Sequence, residues 1–158
     1  MKALLSDKIT RKTKTLFRSL SYIIICYSFF SILTEQKIGL YPEQVYLALQ
    51  GSMDLFIDPM PINEVFFHVH VRAFLELFLF YFTLSMSMLV FKSLWLSRLQ
   101  NLWAALVFVE LCSLITLSFF NFEFLAIIKV LSFILSRLLL FVSSVGFLVK
   151  LFKNKGVV

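Results

Sequence analysis

Four ionisable side chains stand inside long apolar runs of this chain: Glu76, Glu110, Lys129 and Arg137. A charge at the centre of a bilayer costs about 2.5–3.5 kcal/mol on insertion scales, so such residues face a protein interior, pair with one another or mark a functional surface. Counted from the ends of their runs, Glu76 and Lys129 lie at similar shallow depth, and Glu110 and Arg137 near the middle. Depth matching predicts two interhelical ion pairs, Glu76–Lys129 and Glu110–Arg137. The long Lys and Arg stems can bridge an offset of one turn. Such pairs fix helix packing and register, or face a partner helix inside the membrane.

Other chemistry is poorly represented. His68 and His70 are spaced i, i+2 and point to different faces of a helix. Haem ligation between two spans needs histidines on separate spans, and there are no others. An interfacial, solvated pair is expected. Cys26 and Cys112 both fall in apolar runs and form no CxxC pair, which argues against redox or zinc chemistry. There is no HExxH, P-loop, nucleophile elbow or Gly-rich phosphate cradle. The expectation is therefore no catalytic residue, no cofactor, no metal and no enzyme. Ser85, Ser87, Ser113, Ser143 and Ser144 are expected to bond to backbone carbonyls or let helices approach. The twenty Phe read as lipid-facing bulk and packing.

The elements that carry these residues follow from composition. Of 158 residues, 60% are hydrophobic and only 15% charged, where soluble domains carry about 25%. A soluble globule of this size cannot hide so much apolar surface. Disordered chains, disulfide-rich modules and typical soluble enzymes are excluded on the same ground. An apolar helix needs roughly 20 residues to cross a bilayer. Four runs qualify, at about 16–33, 73–91, 102–120 and 124–149. They are continuously apolar, not alternating, which rules out barrel strands. The fold class is thus all-α: one polytopic domain, 1–158, with four transmembrane helices. The first run reads as an uncleaved anchor, because no A-x-A-like site follows it.

Lys and Arg set the orientation. Lys2, Lys8, Arg11, Lys12, Lys14 and Arg18 precede or open the first run. Lys92 and Arg98 sit between the second and third, and Lys150, Lys153 and Lys155 end the chain. The opposite side has only Lys37 and the boundary residue Arg72. Both termini are therefore expected in the cytoplasm. The net charge of +6 reflects this distribution and not nucleic-acid binding. Trp95 and Trp103 flank the short inner loop as interfacial anchors. The outer segment 34–72 carries Glu35, Glu43, Asp54, Asp58 and Glu64. Residues 45–57 have helical apolar spacing and are expected to lie flat on the outer surface. A turn at 58–61 follows, with Pro61 in the first turn of a helix that runs from near Ile62 into the second span.

The stretch 58–82, DPMPINEVFFHVHVRAFLELFLFYF, resembles the outer loop and second span of the immunity proteins against pore-forming colicins of the A, B and N type. Asp58, Pro59, Pro61, Glu64, Phe66 and Ala73 carry the likeness. Asn121 and Glu123 resemble that family's short polar outer tip with its acid. The chain departs from the family pattern in having Phe74 after Ala73, and Phe124-Leu125-Ala126 after Glu123. The resemblance implies a protein of the bacterial inner membrane. Its partner would be the channel domain of a pore-forming bacteriocin within the bilayer, with pore opening prevented and no turnover required. Two other classes compete: an accessory or assembly subunit of a larger membrane complex, and a small transporter. Small four-helix exporters rely on an acid in the first span, which 16–33 lacks.

Overall fold

A computed structural model describes residues 11–85, 87–88 and 94–153. Lys2, Lys8, Lys92 and Lys155, and the expected end of the second span at 91, lie outside the described residues. Among those described, the architecture is all-helical: α1 Arg11–Thr34, a 3-10 turn Glu35–Lys37, α2 Pro42–Gln50, α3 Ile62–Ser85, α4 Leu94–Phe119 and α5 Glu123–Lys153. Four segments are long and apolar enough to cross a membrane, the mark of a multi-pass membrane protein: Thr15–Thr34, Ile62–Ser85, Leu94–Phe119 and Glu123–Phe152. In lipid every backbone N–H and C=O needs an internal partner, so long apolar runs without proline become helices.

α4 and α5 form the central antiparallel pair; α1 packs on α5 and α3 on α4. At one end of the bundle, here the terminal face, Leu96 and Phe147 pack with Phe17 and Phe82, bringing together all four long helices. The Arg18 guanidinium also sits 4.6 Å above the Phe152 ring there. The other end, the loop face, carries the 3-10 turn and α2. There Ile38, Val45, Leu49 and Val65 pack with Leu114, Leu117, Ala126 and Val130.

Polarity is arranged inside out. Phe30, Phe67, Phe74, Phe78 and Phe108 are exposed, as lipid-facing side chains should be, while Ser21, Ser28, Ser132, Ser136 and Ser144 are buried. Small residues let the helices approach, and their hydroxyls donate back to carbonyls of the preceding turn. Ser28 donates to Ile24 at 2.9 Å, Ser113 to Glu110 at 2.8 Å and Ser144 to Leu140 at 2.8 Å. The expected back-bonds of Ser85, Ser87 and Ser143 are present as well.

The loop departs from expectation. The helix expected over 45–57 ends at Gln50, because Gly51 takes φ +73° and its N–H bonds to Leu47. Residues 52–57 instead form a small hairpin closed by two backbone bonds, Ser52 N–H to Ile57 O at 2.8 Å and Ile57 N–H to Ser52 O at 3.0 Å. α2 lies across the ends of α4 and α5, and its Gln50 amide donates to the Leu117 carbonyl. Its apolar side is thereby used by the bundle. Trp103 also departs: it is buried against Phe80, nine residues into α4, whereas Trp95 is exposed. The apolar reach of α4 starts at Leu94, which draws Trp103 away from the interface.

Candidate functional site

Among the described residues six ionisable side chains, not four, are buried in the bundle: Glu35, Arg72, Glu76, Glu110, Lys129 and Arg137. Three acids face three bases, so their formal charges cancel. The helices set their depths. From the loop-face starts of α3 and α5, Lys129 stands six residues down, Arg72 ten, and Glu76 and Arg137 fourteen each. Glu110 stands nine residues from the loop-face end of α4. Glu35 comes directly after α1 and turns inward from the 3-10 turn.

The pairing follows those depths. Arg137 bonds to Glu76, and Lys129 to Glu35. Arg72 bridges two acids: Nη1 donates to Glu35 Oε2 at 2.6 Å, and Nη2 stands 2.7 Å from Glu110 Oε1. Its Nε also lies 3.9 Å from Glu76, one turn on. The Tyr27 hydroxyl of α1 donates to Glu76 at 3.0 Å. The expected pairs Glu76–Lys129 and Glu110–Arg137 are thus replaced. α3 begins at Ile62, so Glu76 is deep, level with Arg137 and below Lys129. Glu35 and Arg72 then supply the nearer partners.

Phe133 on α5 is the aromatic centre of the network. The charged groups of Arg72, Lys129 and Arg137 lie 5.0, 5.5 and 5.3 Å from its ring centroid. A ring face offers three crowded cations a favourable quadrupole in a dry interior. Burial opposes ionisation of Glu35, but the Arg72 and Lys129 charges outweigh it and hold its carboxyl below the usual value of 4.5.

Above this network, a cleft of about 490 Å³ opens between α1 and α3. α1 and α3 do not pack along their lengths; each leans on the central pair instead. The walls are Phe30 and Ser31 from α1 and Phe67, Val71 and Leu75 from α3, and the polar floor is Tyr27, Glu35 and Arg72. Phe30 and Phe67 are 63% and 72% exposed, so the cleft opens sideways toward lipid. His68 is half-buried in the cleft, 3.9 Å from Glu35, while His70 is exposed. The i, i+2 spacing separates the two as expected, but they are not the solvated pair expected, because the helix face that carries His68 turns it toward buried Glu35. Among the described residues no group of three or more His, Cys, Asp or Glu is placed to hold a metal.

The residues singled out from 58–82 and 121–123 do not converge on one spot. Glu64 lines the cleft, near the loop face. Asp58, Pro59 and Pro61 are exposed in the turn before α3, with the Pro61 carbonyl accepting from Glu64 and Val65. Phe66 turns to Phe119, ring centroids 6.2 Å apart. Ala73 lines a separate pocket between α3 and α4. Asn121 accepts from the Tyr46 hydroxyl, and Glu123 lines a pocket beneath α2. Depth matching in the sequence does not place Glu35, Arg72 or Phe133 in the network. The available signal was the Arg72–Glu76 spacing of four, which puts both on one helical face.

Neither a protein-family model, nor a curated protein, nor a solved structure matches the chain.

Proposed function

We propose that this chain is a bacteriocin immunity protein acting against a pore-forming toxin of the colicin type. It binds the toxin's membrane-inserted channel domain within the bacterial inner membrane and prevents pore opening. The observation that carries the reading is the lipid-facing cleft between α1 and α3. A toxin hairpin is apolar once inserted, and it can enter such a cleft sideways without leaving the bilayer. The network below is already neutral, so the guest need bring no counter-charge. Binding one conformational state is enough to block conversion to the pore, so no turnover is needed.

Orientation supports the same reading. Eleven of the fifteen Lys and Arg lie in the sequence segments 2–18, 92–98 and 150–155, and only Lys37 falls between 34 and 71. Under the positive-inside rule the termini are cytoplasmic and the loop face periplasmic, the side from which such a toxin arrives.

The test is expression in sensitive cells challenged with a panel of pore-forming bacteriocins. Protection should be confined to one toxin or a few relatives. It should follow the channel domain when that domain is swapped into an unblocked toxin. Val71→Trp, which narrows the cleft from a partly exposed position, should abolish protection without lowering accumulation. The reading fails if no pore-former is blocked at good membrane levels, or if protection follows the receptor-binding domain.

A further inference from the structure

We infer that the hairpin 52–57 is a preformed recognition knob that seats in an apolar socket ringed by Lys or Arg on the water-exposed part of the partner. The inference rests on the proposed function, which identifies that partner as the toxin's channel domain. Met53 and Phe56 are 96% and 95% exposed, the highest values among the described large hydrophobic residues, and Leu55 is 60% exposed. Isolated exposed apolar residues are common, but three within four positions on one turn are a patch.

The patch is held out by construction. The Ser52–Ile57 backbone pair closes the hairpin, and Leu55 N–H reaches Ser52 Oγ at 3.4 Å. At the base, Met60 N–H bonds to Ala48 O at 2.8 Å. Gly51 is packed so closely there that a Cβ would stand 2.7 Å from Ile57 O and 2.8 Å from Pro59 Cδ. Phe56 adopts φ +53°, which a bulky residue rarely accepts. The tip is therefore ordered before it meets anything, which lowers the entropic loss on binding.

Charge selects the occupant. Asp54 is in the tip and Asp58 at its base, both exposed. Between 38 and 71 there are four acids, with Glu43 and Glu64, and no Lys or Arg. Apolar elements that dip into anionic bilayer surfaces carry basic neighbours. This one carries the opposite sign, so it is repelled by that surface and complementary to a cationic protein face. Acidic flanks steer such a face inward, and the apolar tip then slows its departure.

The experiment uses the full chain in phosphatidylcholine nanodiscs and the purified channel domain of the bacteriocin that the wild type blocks. Surface plasmon resonance at low and high salt reads the rates. Met53→Ser with Phe56→Ser should raise the off-rate by about tenfold or more. Asp54→Asn with Asp58→Asn should lower the on-rate about threefold or more at low salt and flatten its salt dependence. A nitroxide at Met53→Cys, with Cys26→Ser and Cys112→Ser, should be reached by a water-soluble nickel chelate and not by lipid-dissolved oxygen. Rates equal to wild type in both double variants overturn the knob while leaving the immunity reading intact. So does a nitroxide buried in lipid. Absence of protection by the wild type removes both together.

Discussion

Arg72 holds Glu35 at 2.6 Å across 37 residues of chain, tying the turn after α1 to the middle of α3. α1 and α3 pack little on each other, so this bond and the Tyr27–Glu76 bond span the cleft that separates them. The same guanidinium faces Glu110 on α4, so one side chain spans both the cleft and the α3–α4 seam.

Removing one partner strands the other charge in a dry interior. Glu35→Ala should destabilise the protein in detergent by about 3–5 kcal/mol. The double variant Glu35→Ala, Arg72→Ala should lose less than the sum of its parts, with a coupling of about 1–3 kcal/mol by denaturant unfolding. Strictly additive losses would mean that the two side chains do not meet.

The partner of Arg137 is separable in the same way. Arg137→Ala and Glu76→Ala should be strongly coupled, while Arg137→Ala and Glu110→Ala should couple more weakly, since of these two acids it is Glu76 that bonds to Arg137. A reversal of that order would restore the pairing expected from depth alone.

Acid should loosen the loop face. The folded-state carboxyl of Glu35 lies below 4.5, so its ion pairs contribute their full stability above that pH. That contribution falls away as the pH drops through the lower folded-state value. Thermal unfolding in detergent should therefore show wild type losing stability below about pH 4.5 more steeply than Glu35→Gln. Parallel acid profiles for the two proteins would contradict the assignment.

Gly39 sets the path from the 3-10 turn into α2. It adopts φ +111°, and an added Cβ would stand 2.6 Å from Gln44 Cβ. Gly39→Ala should lower stability by more than about 1 kcal/mol. Because the Glu35 carbonyl accepts the Gly39 N–H at 2.9 Å, the variant should also weaken Glu35–Arg72 coupling in the cycle above.

Topology has a direct readout. In a Cys26→Ser, Cys112→Ser background, a membrane-impermeant thiol reagent added to cells with permeabilised outer membranes should label Asp54→Cys and not Asn154→Cys. Labelling at 154 would invert the orientation drawn from the Lys and Arg distribution.

Much of this was legible in the residues themselves. Apolar length alone determined four crossing helices, because lipid permits only a helix for a continuous apolar run. The Pro61-led start of the third helix followed from local geometry, as did the separate faces of His68 and His70. Tertiary structure decided the rest. Depth along a helix depends on where its membrane-crossing segment begins, and that segment of α3 runs from Ile62, eleven residues before the expected span start at Ala73. That shift carried Arg72 from the boundary into the interior and Glu76 down to Arg137. Glu35 reads as a loop acid in sequence, yet the 3-10 turn directs it inward to Lys129 and Arg72. Phe133 is one of twenty Phe until three cations gather around its ring. Periodicity reports which face of a helix is apolar; the partner across a seam is fixed only when helices from distant parts of the chain are placed side by side.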